Sequence, residues 1–301
     1  MNSAARPARY QLSAFHELRE LAADYYDFDW RSLPVSPRMN VLLCSGTGTG
    51  KTFLSAHLAR ELGIPRLLLT FGNWIVSGAR ARGGLQTLPL LYSFIDRYER
   101  GIIALDEIDK IASPDGTGEW TRAVQLEIFS VLDKVVLPGI VEAGQHGEDG
   151  PLFTLRREDI ERRFARGYFI VGSGAWEHLW RAPSAAGFIP PSNAAQRPTY
   201  DQLLQTIPAE ILNRFRGEVL YLGPLTKADY ESLLEETLHR LPQEFAPFVQ
   251  DGAAKSLNEA VRTQRGYRWI EELVATAIRA VRTCQLNKLQ IGPAREMLDP
   301  S

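Results

Sequence analysis

Residues Ser45 to Thr52 read SGTGTGKT, and Ile102 to Asp109 read IIALDEID. In the first stretch Gly46, Gly48 and Gly50 alternate with Thr47 and Thr49 ahead of Lys51 and Thr52. So glycine-rich a backbone can turn a run of N–H groups toward phosphate oxygens. Lys51 would reach the β- and γ-phosphates, and Thr52 would offer its hydroxyl to Mg²⁺. Ser45 stands where the general pattern has its first glycine, and a side chain that small is expected to leave the loop intact. The second stretch is an apolar run ended by carboxylates, the pattern of a buried parallel strand that delivers acids to a sheet edge. Asp106 is placed to hold Mg²⁺ directly or through water, since that ion keeps several waters and takes few carboxylates. Glu107 is the candidate for orienting or deprotonating the attacking water, and Asp109 is expected to be structural. The chemistry implied is binding and hydrolysis of ATP with Mg²⁺.

The flanking segments must position these residues. Met39–Cys44, the glycine loop and Phe53–Leu62 read as strand, loop and helix, with Gly63 as the helix stop. Arg66–Phe71, Gly101–Leu105 and Tyr168–Val171 read as further strands, and Leu88–Tyr98 and Thr121–Leu132 as helices. Strands alternating with helices predict an α/β fold with a parallel sheet and helices on both faces. Ligands of such sheets sit beyond the carboxyl ends of the strands. The glycine loop, Asp106–Glu107 and Ser173 all follow strands in this reading, so they converge on one edge. Leu155–Arg166 is dense in charge of both signs and reads as a solvated helix. Arg181–Pro198 reads as a long loop, and Lys227–Leu241, Gln250–Thr263 and Gly266–Arg282 as helices. The expected organisation is an N-terminal helical extension over 1–38, a large nucleotide-binding domain over 39–222 and a small helical domain over 223–301.

Composition sets the frame. The chain has 301 residues, 45% hydrophobic and 23% charged, with a net charge of −2. That length accommodates one large domain and a smaller one, and the balance gives no global argument for nucleic acid or an anionic membrane. Cys44 and Cys284 suggest neither a disulfide framework nor a zinc site. Cys44 is expected to be a buried, inert thiol. No apolar run reaches membrane-spanning length, so no membrane partner is expected and the cytoplasm is the default compartment.

GTGKT followed by ALDEIDKIA resembles the AAA+ ATPases, and its wording is most similar to the ClpX and HslU unfoldase group. The resemblance runs from about Met39 to Arg282. It implies a P-loop NTPase core of the AAA+ type with a C-terminal helical lid. FIVGSGAWEHL resembles the sensor-1 strand, which makes Ser173 the polar residue facing the γ-phosphate. IPAEILNRF resembles the arginine-finger segment, which implies Arg214 in that role with Arg216 as its competitor. TQRGYRWIEEL resembles the start of the sensor-2 helix and implies Arg268. An arginine supplied by a neighbouring subunit implies a homo-oligomeric ring, a hexamer in that group, because a head-to-tail interface closes when its rotation allows. The pore-loop position, Ser77–Gly84, reads SGARARGG without the group's aromatic residue. Arg80 and Arg82 make it either a cationic grip on acidic peptide or phosphate backbone, or a merely solvated loop. Neither the group's Cys-rich zinc module nor its Ile/Leu-Gly-Phe peptidase-docking loop is visible. The expectation is therefore an ATP-driven remodeller or unfoldase of a specific protein client, acting without an attached peptidase. The alternative is a nucleic-acid-associated AAA+ ATPase of the replication, transposition or helicase-loader type. Ala14–Tyr26 is expected to form an amphipathic helix over the adenine pocket.

Overall fold

A computed structural model describes residues 6–28, 39–72, 87–111, 119–137, 139–145, 153–180, 197–215 and 219–291. Among them, strands β1 (Val41–Ser45), β2 (Arg66–Thr70), β3 (Gly101–Asp106), β4 (Tyr168–Gly174) and β5 (Val219–Leu222) form one sheet in the order β2-β3-β4-β1-β5. Every pairing is parallel. Helices on both sides bury both faces, so the strand sequences are almost continuously apolar. Alternation then sends odd and even residues to different cores. Val41, Leu43, Phe169 and Val171 pack with Leu18, Leu54 and Leu58. Leu42, Cys44, Ile103, Leu105 and Ile170 pack on the opposite face with Leu91, Tyr92, Ile128 and Phe164.

Helices α1 (Leu12–Asp27) and α2 (Lys51–Glu61) supply the first face. The second face is covered by α3 (Thr87–Arg97), α4 (Glu119–Leu132), α5 (Ile140–Gln145), α6 (Arg157–Gly167), α7 (Tyr200–Leu204) and α8 (Ala209–Leu212). The stop foreseen at Gly63 is present: Gly63 has φ +63°, its N–H bonds Arg60 O, and Ile64 N bonds Ala59 O. These two bonds close a Schellman turn that only a residue tolerant of left-handed backbone completes easily. The charge-dense helix α6 is solvated on one side only. It buries Ile160 and Phe164 completely, while Arg157 and Glu161 pair at 2.8 Å on its polar side.

Two strands differ from the sequence reading. β4 runs to Gly174, three residues past the expected end at Val171, so Ser173 lies within a strand. β5 is a fifth strand that the reading omits, because a half-buried run of four residues carries too little periodicity.

The chain groups into two compact units. One comprises Met1–Pro7, Gln11–Gly46 and Lys51–Gly223; the other comprises Ala8–Tyr10, Thr47–Gly50 and Pro224–Ser301. In the second unit α9 (Lys227–Leu238), α10 (Ala246–Thr263) and α11 (Tyr267–Ile291) enclose a core of Leu225, Tyr230, Leu233, Val249, Trp269 and Leu273. Trp269 donates through Nε1 to Ser256 Oγ at 2.8 Å, and Tyr230 OH accepts from Gly266 N at 2.7 Å. Among the described residues no helix is long and apolar enough to cross a membrane.

Helix α1 is bonded to the sheet as well as packed on it. Tyr26 OH donates to Gly101 O at 2.8 Å and accepts from Phe169 N at 3.3 Å, tying the helix to the first turns of β3 and β4. Burial pushes the Tyr26 phenol well above its usual pKa, although the bond from Phe169 favours its ionised form. Tyr26→Phe deletes both bonds while keeping the ring. It should cost about 1–2 kcal/mol in urea unfolding with an unchanged m-value; a change below ~0.3 kcal/mol would mean that the phenol is dispensable.

Candidate active site

The site forms at the carboxyl edge of the sheet. Asp106 closes β3, Ser173 lies near the end of β4, and β1 leads into the glycine loop. Because β4 sits between β1 and β3, Ser173 stands between the loop and the acid. The Asp106 carboxylate draws these elements together. Its Oδ2 accepts from the Thr52 hydroxyl in a short bond, and its Oδ1 accepts from Ser173 Oγ at 2.7 Å and from Glu107 N at 2.9 Å. The sequence places Thr52 and Asp106 on separate motifs; the fold makes them hydrogen-bonded neighbours.

Lys51 opens α2 with its ammonium turned back onto the loop. Nζ donates to Ser45 O at 3.1 Å and to Gly46 O at 2.9 Å. Burial lowers its pKa, and the Asp106 and Asp109 carboxylates pull it back up. Desolvation of this kind sharpens the interaction of a cation with any anion admitted to the site. Gly48 and Gly50 carry φ +77° and +90°, so the loop uses the backbone region that glycine alone enters freely. Residues 47–50 group with the helical unit, where Gly48 O accepts from Tyr267 N at 2.8 Å and Thr49 O accepts from Tyr10 OH at 2.7 Å. Cys44, completely buried in β1, has a thiol pushed up by burial, as expected of an inert side chain.

Glu107 has φ 62° and ψ 35°, a left-handed conformation that is strained for a non-glycine residue. Its half-exposed carboxylate pairs with Lys110. A non-glycine residue held in that conformation costs about 1–3 kcal/mol and persists only where the surrounding structure imposes it. Asp109, one helical step on, accepts from Trp176 N at 3.4 Å and so links the turn after β3 to the turn after β4.

Residues 41–144 match the ATPase family associated with various cellular activities (AAA). The chain carries an AAA domain. It is related to proteins named as ClpX. It is 28% identical over 267 residues to "ATP-dependent Clp protease ATP-binding subunit ClpX 3" of Methylococcus capsulatus, covering 78% of this chain and 59% of that protein. It is 27% identical over 213 residues to "ATP-dependent Clp protease ATP-binding subunit ClpX 2" of Wolinella succinogenes, covering 66% and 50%. A shorter match, 34% over 105 residues, joins 31% of this chain to 20% of the "ATP-dependent clpX-like chaperone, mitochondrial" of Saccharomyces cerevisiae. The chain thus spans between half and three fifths of the length of the first two relatives.

Arg214, beyond the matched stretch, is held by its own chain. Nε donates to Asp133 Oδ2 at 2.8 Å, Nη1 donates to Glu210 O at 2.5 Å, and the guanidinium lies 4.5 Å from the Phe129 ring centroid. Arg268 is an exposed residue of the first turn of α11 in the helical unit. Arg80, Arg82, the rest of Ser77–Gly84 and Arg216 lie outside the described residues.

Two residues that the motifs do not flag help to build the site. Arg66, at the start of β2, donates through Nη1 to Thr52 O and to Ser55 Oγ, both at 2.8 Å. It fixes the first turn of α2 from below, and its signal is a lone charge opening the run RLLLT. Asn40 is buried just ahead of β1 and donates from Nδ2 to Leu132 O and Arg214 O, both at 2.9 Å. It sets the Arg214 backbone relative to the end of α4.

Glu107→Gly tests the meaning of the strain. Glycine adopts the left-handed conformation freely, and the exposed pair with Lys110 contributes little. Unfolding free energy should be unchanged or up to about 1 kcal/mol higher. A loss of more than ~1 kcal/mol in chemical denaturation would mean that this side chain serves the fold.

Proposed function

We propose that the chain binds and hydrolyses ATP with Mg²⁺ and uses the cycle to remodel a protein client within a homo-oligomeric ring. The observation that carries the chemical part is the junction of Thr52, Asp106 and Ser173 on one carboxylate. The residues present fit the ion: a hydroxyl and a carboxylate are hard oxygen donors, and two protein ligands leave room for phosphate oxygens and water. Thr52 spends its proton on Asp106 and keeps its lone pairs for coordination. Bound there, Mg²⁺ would neutralise charge on the β- and γ-phosphates.

The chain's own groups account for the rest. Backbone N–H groups of residues 46–51 receive the phosphates, and Lys51 exchanges the carbonyls of Ser45 and Gly46 for phosphate oxygens. Ser173 is placed to exchange part of its bond to Asp106 for the γ-phosphate or the attacking water. Glu107 accepts a proton from that water or orients it. Arg214 would act in the site of a neighbouring copy, where its bond to Asp133 gives way to phosphate; Arg216 is its competitor. Arg268 would sense nucleotide from the helical unit. The relatives' printed names, which describe Clp protease ATP-binding subunits and a chaperone, support a protein client.

Lys51→Ala should abolish ATP binding, and Glu107→Gln should bind ATP yet lower turnover at least ~100-fold. Normal nucleotide affinity in the first variant would sink the phosphate-loop assignment. Undiminished turnover in the second would assign water activation to another residue.

Mixing separates a trans from a cis arginine. Arg214→Ala subunits contribute an intact Glu107, and Glu107→Gln subunits contribute an intact Arg214. Mixed rings should therefore recover part of the hydrolysis that each variant lacks alone. No recovery in rings verified as mixed would place Arg214 in cis or in a structural role.

A further inference from the structure

The hydroxyl of Ser173 lies between two glycines, Gly172 and Gly174, on β4. Alternation turns Ser173 to one face and both glycines to the other. Neighbouring side chains occupy the space where theirs would be. A Cβ at Gly172 would stand 2.5 Å from Ile108 and 2.6 Å from the Phe215 ring, and one at Gly174 would stand 2.6 Å from the Trp176 indole. Phe215 directly follows Arg214.

Trp176 is fixed on three sides. Its backbone is left-handed at φ 45°, a conformation that non-glycine residues rarely adopt. Its N–H bonds Asp109 Oδ2 at 3.4 Å, in the turn that carries Glu107. Its indole is 1% exposed and donates through Nε1 to Thr206 Oγ1 at 2.9 Å. Thr206 in turn donates to Leu203 O at 2.8 Å, closing α7 just ahead of the Ile207–Phe215 segment. The indole N–H of a buried tryptophan normally finds an acceptor; for Trp176 that acceptor lies 30 positions along the chain, so the bond also fixes the ring's orientation against that segment.

We propose that Trp176 is a positioning residue that couples the Asp106–Glu107 turn and Ser173 to the segment bearing Arg214. Movement of the β4 end against phosphate is transmitted through the indole to Thr206 and through Gly172 to Phe215. The nucleotide edge thereby sets where Arg214 is presented. This rests on the ATPase reading above.

Trp176→Phe keeps a ring on Gly174 and deletes the donor, Thr206→Val deletes the acceptor at constant shape, and Thr206→Ser retains it. Steady-state ATPase kinetics, binding of a fluorescent ATP analogue and thermal unfolding would be measured for each. Trp176→Phe and Thr206→Val should each lower kcat about five- to twentyfold with KM and analogue affinity within twofold. The double variant should be no slower than the worse single, and Thr206→Ser should remain near wild type. Unchanged kcat in both singles, losses that multiply in the double, or a parallel collapse of affinity and Tm would overturn the coupling. Wild-type protein that does not hydrolyse ATP would overturn the ATPase reading and this proposal together. Hydrolysis by the wild type with both single variants indifferent would overturn this proposal alone.

Discussion

A carboxylate at a sheet edge can be held in one orientation only if donors reach both of its oxygens, and Asp106 meets that condition from three parts of the chain. Thr52 comes from the first turn of α2, Ser173 from β4, and the Glu107 N–H from the turn that follows. Charge-assisted bonds of this kind are stronger than neutral ones, and partial burial strengthens them further. The strand order makes the arrangement feasible, since β4 lies between the strand that feeds the loop and the strand that delivers the acid. A sheet that put β3 beside β1 would leave Ser173 on the wrong side of Asp106.

The same edge concentrates costs that a stable fold would otherwise avoid. Lys51 is desolvated, Glu107 and Trp176 are left-handed, and Gly172 and Gly174 interrupt a buried strand. Glycine inside a strand removes packing and weakens it. Here the missing side chains make room for Ile108, Phe215 and Trp176, so the core is filled from elsewhere. Two apolar cores, one on each face, over-determine the sheet and let these local costs persist. Arg214 bonds Asp133 and Glu210 and lies over the Phe129 ring within its own chain rather than extending into solvent.

Much of this was legible in the residues. SGTGTGKT and IIALDEID each combine a required residue type with a required spacing, and the parallel sheet follows from apolar runs alternating with helical ones. Other parts were not. β5 was missed because four half-buried residues carry no period, and β4 was read as ending at Val171 because two glycines look like a turn. Arg66, Asn40 and Trp176 have unremarkable neighbours in sequence; their importance lies in partners 14, 174 and 30 positions away.

The sequence by itself therefore determined the groups on offer: a glycine-rich loop, a lysine and threonine to close it, and a strand closed by Asp106 with Glu107 next to it. Each of those choices is local, fixed by residue type and by periods of two or three and a half residues. Which groups meet was decided only by the tertiary structure. Thr52, Asp106 and Ser173 share one set of hydrogen bonds because of the order in which strands pair. Arg214 faces Asp133 because α4 and α8 pack on the same face. Such long-range contacts depend on the burial of two continuous cores, a cooperative property that no short stretch of sequence carries.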